Sequence, residues 1–281
     1  MNEMDGRVVV ITGGTSGIGL VAAERLAGMG ARLVLVARDQ TRGEMALERL
    51  RSTGTKAAHA IHYADLSSIR EMKRVAGEIG AQEPRIDVLI NNAGALFSSR
   101  QVTGDGLEMT FATNHMSYFL LTLGLADVLR ATSGARVVNT ASAAHKRARL
   151  DFDDLQSAKR YRGFPVYGRS KLCNIIFTRE LAKRWSEAGV TANSLHPGFV
   201  STRFGDHSGG VFQRLVQAAK LFAISPEKGA ETIVHLASSD SVAKLSGLYF
   251  YQCRPVQPTR EAQDDLAAKR LWDESARLAQ M

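Results

Sequence analysis

The sequence predicts an α/β fold, a doubly wound parallel sheet of about seven strands with helices on both faces. Three observations predict it. Short, wholly apolar runs such as Val8-Val9-Val10-Ile11 suit strands buried on both faces of a parallel sheet. These runs alternate with helical patterns of ten or more residues, which right-handed crossovers need. Finally, a glycine-rich turn, Thr12-Gly13-Gly14-Thr15-Ser16-Gly17-Ile18-Gly19, joins the first strand to the first helix.

That turn organises the chain. Glycines let the backbone turn tightly, approach a ligand closely and pack the helix on the strand. The helix that follows, with Ile18, Val21, Ala22 and Leu26 on one side, points unpaired N–H groups and a positive dipole end outward. Such an end is an anion site suited to a pyrophosphate. The spacing is Gly-x-x-x-Gly-x-Gly, different from the commoner Gly-x-Gly-x-x-Gly.

A second strand, Arg32–Ala37, ends in Arg38-Asp39, 19 and 20 positions past Gly19. A residue about that far on reads the adenosine ribose. An acid there binds a 2′-hydroxyl, whereas an arginine pairs with a 2′-phosphate. The two candidates conflict. Arg38 is preferred, because Ala37 at the strand end can do neither, so NADP(H) is favoured over NAD(H).

Helices are expected over 43–52 and 67–79, and strands over 57–63 and 86–90. Asp65-Leu66 closes the third strand, and Asn91-Asn92-Ala93-Gly94 the fourth. A long helix, 107–129, carries Asn114 among the apolar Phe111, Tyr118 and Leu121; a buried amide there makes a structural hydrogen bond in the ordinary case. A fifth strand, Arg136–Thr140, delivers Ser142. After a polar insertion, 143–165, a helix over 166–188 puts Tyr167 and Lys171 four apart on one face. A sixth strand, 190–195, runs into His196-Pro197-Gly198. Residues 204–223 open with Gly205, Gly209 and Gly210 and turn amphipathic. They read as a lid over an apolar substrate, a packed surface helix or a membrane contact. Pro226 starts another helix, 247–251 is a last strand, and 260–278 a terminal helix. No repeat or linker interrupts the chain, so one domain, 1–281, is expected.

The net charge of +8 is spread in short clusters such as Lys146-Arg147-Ala148-Arg149, the pattern of a solvated surface and no argument for nucleic acid. Two cysteines make no disulfide framework, and the seven histidines show no metal-ligand spacing. The longest apolar stretch, 119–126, stops at Asp127, too short to span a bilayer. Six residues before the first strand leave no room for a signal peptide or anchor, and a soluble cytoplasmic protein is expected.

Taken in order, these residues resemble the short-chain dehydrogenase/reductase family over nearly the whole chain, which implies a Rossmann fold and hydride transfer to or from a nicotinamide. Asn114, Ser142, Tyr167 and Lys171 match the family's catalytic positions. The resemblance implies cofactor contacts from Gly13, Thr15, Ser16, Gly17, Ile18, Gly19, Arg38, Asp65, Leu66, Asn92, Ala93, Gly94, Tyr167, Lys171, Pro197, Gly198, Val200 and Thr202, with no metal. Tyr167-Gly-Arg-Ser-Lys-Leu-Cys-Asn174, Leu195-His-Pro-Gly198 and Tyr249-Phe-Tyr-Gln-Cys253 are similar to the branch of retinol dehydrogenases and the WW-domain-containing oxidoreductase. The 25-residue gap from Ser142 to Tyr167 fits that branch. The implied partner is a small lipophilic carbonyl or alcohol, retinal/retinol-like or other. The implied roles are Tyr167 as proton donor or base, Lys171⁺ lowering its pKa and holding the nicotinamide ribose, Ser142 on the substrate oxygen, and Asn114 on a relay water. Alternatives left open are a steroid or other ketone reductase, a catalytically idle dinucleotide-sensing regulator, and assembly as a homo-oligomer.

Overall fold

In the computed structural model, which describes residues 3–53, 57–198 and 224–281, eight strands form one sheet in the order β3-β2-β1-β4-β5-β6-β7-β8. The strands are β1 (Val8–Thr12), β2 (Arg32–Ala37), β3 (Ala60–Tyr63), β4 (Val88–Asn91), β5 (Arg136–Thr140), β6 (Thr191–Leu195), β7 (Tyr249–Tyr251) and β8 (Arg254–Pro255). The seven expected strands are parallel to their neighbours. The eighth is a two-residue antiparallel addition that turns back on β7 through Gln252 and Cys253, both with positive φ. Such left-handed pairs match the twist of a two-residue hairpin. The order reverses between β1 and β4, the switch point at which a crevice opens beyond the strand ends.

Both faces of the sheet are buried, as the apolar runs require. In β1, Val8 and Val10 face one core while Val9 and Ile11 face the other; in β2, Val34 and Val36 oppose Leu33 and Leu35 in the same way. One core is closed by α1 (Gly17–Gly28), α2 (Gln40–Arg51) and α8 (Pro226–Ser238). The other is closed by α3 (Ile69–Gln82), α5 (Ser117–Gly124), α7 (Gly163–Arg184) and α9 (Asp265–Leu278). A short turn α4 (Met109–Phe111) and α6 (Ala126–Ala131) flank α5.

Element boundaries move where side chains cap or break a helix. Asp39 Oδ1 accepts the Arg42 amide at 2.8 Å, so α2 starts at Gln40, before the expected position 43. The expected helix 107–129 is interrupted by a π-helical turn at Ala112–Met116 and by a turn at Leu125. Helix α7 begins earlier than expected, because Pro165 sits in the first turn, where its missing N–H is no loss. At the end of the sheet away from the crevice, Asp87 accepts Arg7, Arg85 and the Val8 amide. Burial alone would raise its pKa, but those donors hold it below the ordinary carboxylate value. No described helix is long and apolar enough to cross a membrane.

Candidate active site

The glycine turn is built by backbone-to-backbone approach. Gly13 and Gly17 have φ of 67° and 54°. A Cβ on Gly13 would sit 2.9 Å from Ala93 Cα, and one on Gly19 would run into the Gly13 carbonyl. Only glycine fits. The Ser16 side chain makes no capping bond, and the first intrahelical bond is Leu20 N–H to the Ser16 carbonyl. The amides of Gly17, Ile18 and Gly19 precede it, so the helix presents donors to an anion at this end.

Residues 91–94 brace that turn. Thr12 Oγ1 accepts the amides of Asn92 at 2.9 Å and Ala93 at 3.0 Å. Asn92 Nδ2 reaches the Thr12 and Gly13 carbonyls at 3.3 Å, and Thr140 Oγ1 donates to Asn92 Oδ1. Below them, Asn91 Nδ2 donates to Thr122 and Asn139, and Asn139 to Thr178, tying β4 and β5 to α5 and α7 inside the core.

At the far end of the crevice Arg38 and Asp39 are exposed, and the structure separates their duties. The Asp39 carboxylate caps α2. Arg38 makes no ion pair among the described residues. Asp65 Oδ1 accepts the Ser67 amide and hydroxyl, and Leu66 joins the core.

The four candidate catalytic residues converge at the ends of β4 and β5. Asn114 lies in the π turn, a feature that often marks functional sites. Its Oδ1 accepts the Ala95 amide at 2.7 Å, and its Nδ2 donates to the Ala95 carbonyl and Ser170 Oγ at 2.9 Å. Both amide protons are used, so the side chain ties 94–95 to α7. Ser142 caps the turn after β5 through the Ala144 amide and lies close enough to Tyr167 to pull its pKa down slightly. Tyr167 is 8% exposed, and burial pushes its pKa up to about 12 against the modest lowering from Ser142. Lys171, 2% exposed, donates to the Thr140 carbonyl at 3.0 Å, and burial pushes its pKa down to about 7. Its Nζ lies 5.7 Å from the centre of the Tyr167 ring. A Cβ on Gly94 would come within 3.1 Å of Lys171 Nζ and 3.2 Å of Asn114 Oδ1, so the glycine keeps this corner open. Burial is the largest influence on the Tyr167 pKa in this structure.

The family model described as short chain dehydrogenase matches residues 7–209. The chain belongs to the short chain dehydrogenase family. Within it the chain lies in the retinol dehydrogenase branch: it is 37% identical to human retinol dehydrogenase 13, over 97% of this chain and 84% of that protein. It is 39% identical to human retinol dehydrogenase 12, over 98% and 87%. An uncharacterized protein from Mycobacterium Paratuberculosis, 31% identical, superposes with a TM-score of 0.78 over 99% of this chain and 94% of that one. The Pseudomonas aeruginosa RhlG/NADP active-site complex, 28% identical, does so with a TM-score of 0.70 over 88% and 94%. This short chain dehydrogenase is thus an oxidoreductase acting on an alcohol/carbonyl pair with a nicotinamide dinucleotide.

The remaining candidates divide. Pro197 and Gly198 follow β6, with Gly198 at φ 89° and its amide donating to His196 Nδ1 at 3.2 Å. Val200, Thr202 and the proposed lid 204–223 lie outside the described residues. Sequence reasoning missed four buried neighbours. Tyr118 and Asn174 both donate to the Thr140 carbonyl at 3.3 Å. His145 sets its Nδ1 2.7 Å from the Ser142 carbonyl, and Tyr249 is T-shaped against His145 at 5.0 Å. Helical spacing carried a signal for two of them. Tyr118 is four past Asn114 and Asn174 three past Lys171, so each shares a face with a site residue.

Proposed function

We propose that the protein is a single-domain, NADP(H)-dependent oxidoreductase that transfers a hydride between the nicotinamide and an apolar carbonyl or alcohol, retinal/retinol-like or another lipophile. The observation that carries it is the Tyr167 hydroxyl. It is buried, protonated at neutral pH, close enough to Ser142 for that hydroxyl to act on its pKa, and its ring lies 5.7 Å from Lys171 Nζ. Charge developing on a carbonyl oxygen needs a proton donor at that oxygen, and a tyrosine with a pKa near 12 holds its proton until that moment.

The glycine turn fits a dinucleotide, because the missing Cβ atoms leave room for close approach and the α1 amides face the pyrophosphate side. Arg38, clear of Asp39, would pair with a 2′-phosphate, which favours NADP(H). The RhlG complex with NADP, a 28% identical neighbour, supports that choice. When bound, the cofactor supplies or accepts the hydride. Ser142 holds the substrate oxygen beside Tyr167. Lys171 holds the ribose hydroxyls, and its positive charge favours a phenolate when the alcohol is oxidised. Asn114 fixes 94–95 and α7 around the reacting oxygen, with one Oδ1 lone pair left for a relay water. Phe164, 48% exposed with its ring 6.4 Å from that of Tyr167, adds apolar surface at the mouth. The relatives named retinol dehydrogenase support a lipophilic substrate.

A screen of lipophilic aldehydes, ketones and alcohols with NADPH, NADP⁺, NADH and NAD⁺, followed at the nicotinamide absorbance, tests the reading. Turnover with retinal or a comparable lipophile and NADPH is expected. Tight NADPH binding without turnover of any carbonyl or alcohol would instead make the protein a dinucleotide-sensing regulator.

A further inference from the structure

The carbonyl of Thr140 accepts from three side chains at once. Lys171 Nζ stands at 3.0 Å, the Tyr118 hydroxyl at 3.3 Å and Asn174 Nδ2 at 3.3 Å. A carbonyl oxygen has two lone pairs, so the group is over-subscribed. The sheet explains why it is available. Arg136 N–H donates to the Asp87 carbonyl, and the same alternation along β4 and β5 would pair the Thr140 carbonyl with the Ala93 amide. That amide donates to Thr12 Oγ1 instead. The bend that braces the glycine turn therefore releases one buried acceptor beside the candidate active site.

We infer that Tyr118 and Asn174 are positioning residues for Lys171, held in reserve on the Thr140 carbonyl so that the ammonium can leave it for the cofactor without stranding a buried acceptor. The inference rests on the reading that Lys171 serves the cofactor. Tyr118 and Asn174 are both fully buried, with their donors already on the carbonyl that Lys171 would leave. A buried acceptor left without a donor is costly, which opposes the lysine's movement. Their longer contacts tighten as Lys171 withdraws. The Tyr118 ring, 5.5 Å from Nζ, keeps a favourable face toward the ammonium throughout.

The test is a double-mutant cycle on NADPH affinity, read from nicotinamide fluorescence without turnover. Tyr118→Phe retains the ring and removes only the hydroxyl. It should weaken NADPH binding about 3- to 10-fold, the scale of one neutral hydrogen bond, and leave the KM for the carbonyl substrate unchanged. In a Lys171→Met background, where no ammonium has to leave the carbonyl, the same substitution should have no effect. Asn174→Leu added to Tyr118→Phe should weaken binding by more than the product of the single effects, because each donor covers for the other. Thermal melts establish that each variant is folded, and if Asn174→Leu is not, the Tyr118 cycle decides alone. Equal losses from Tyr118→Phe in both backgrounds, or none in either, would overturn the inference. Unchanged NADPH affinity in Lys171→Met itself would overturn it by removing its premise, and would mark the assignment of Lys171 as the error.

Discussion

Tyr167 and Arg38 are single side chains on which separate consequences hang. Tyr167→Phe removes one hydroxyl from a packed ring, so folding and cofactor binding should persist while turnover falls about 10²-fold or more, the scale of lost acid–base catalysis. Steady-state kinetics and cofactor titration of the same preparation check it, and full activity in Tyr167→Phe would dismiss it as the proton donor. The pKa of about 12 adds a direction. Carbonyl reduction uses the protonated form and should be nearly flat across neutral pH, whereas alcohol oxidation, which needs the phenolate, should accelerate as pH rises. For Arg38 the decision rests on its neighbour. Asp39 spends its carboxylate on the Arg42 amide, so the arginine is the residue left to read the ribose. NADP(H) should bind more tightly than NAD(H) by about 1.5–3 kcal/mol, a charge-assisted bond, and Arg38→Ala should erase most of that gap. Equal affinities for the two cofactors in the wild-type protein would refute it. The sequence placed both residues but could not separate their duties. A carboxylate before a helix reads equally as a cap or a ribose ligand until the helix start is known.

Strands were more legible than helices, and the reason is physical. Val8-Val9-Val10-Ile11 can be buried only on both faces at once, and β1 does this by sending alternate residues to the two cores. The helix expected over 107–129 has sound apolar spacing but no local mark of its interruption. The π turn at Ala112–Met116 goes with tertiary bonds from Asn114 to Ala95 and Ser170, which no periodicity encodes. The eighth strand was equally hidden, since two residues carry no pattern and their turn uses Gln252 and Cys253 where glycine or asparagine would have announced it. The candidate site was readable because its residues sit at strand ends and one turn apart on α7. The bracing between elements was not. Thr12 is the clearest case, because its hydroxyl oxygen joins the end of β1 to the end of β4 by accepting two amides. Thr12→Val preserves shape and burial but strands both donors. It should lower stability by about 2 kcal/mol or more and weaken cofactor binding through the loosened glycine turn. Urea unfolding and NADPH titration measure the two effects, and an unchanged midpoint would show that Asn92 and Ala93 find other acceptors.

At the scale of the whole molecule, several buried groups are held uncharged, and together they fix the sign of the pH dependence of stability. Burial lowers the pKa of His115 and His196 to about 4 and lowers that of His145, which lies against Tyr249 behind Ser142. In the unfolded chain each titrates near 6.5. Between pH 6.5 and 4 the unfolded state therefore binds protons that the folded state refuses, and stability is lost as pH falls through that window. The loss is largest for His115 and His196, whose values are lowered furthest. Lys171, lowered to about 7, acts in the next window. Unfolded lysine is protonated below about 10.4, so stability climbs as pH rises from 7 toward that value. From about pH 9 buried Cys173, and above pH 10 buried Tyr167 and Tyr118, work against that rise, because each keeps a proton that the unfolded chain releases. The free protein should thus be most stable on the alkaline side, near pH 9 to 10. Urea midpoints at pH 5, 7 and 9 should rise in that order. His196→Asn, which offers the Gly198 amide an acceptor in place of Nδ1 but cannot titrate, should flatten the rise between pH 5 and 7 and leave the rise from 7 to 9 intact. Lys171→Met should do the opposite. A midpoint that peaks near pH 6 would mean that these side chains are hydrated in the free protein, and the burial that sets the protonation of Tyr167 and Lys171 would have to be rejected with it.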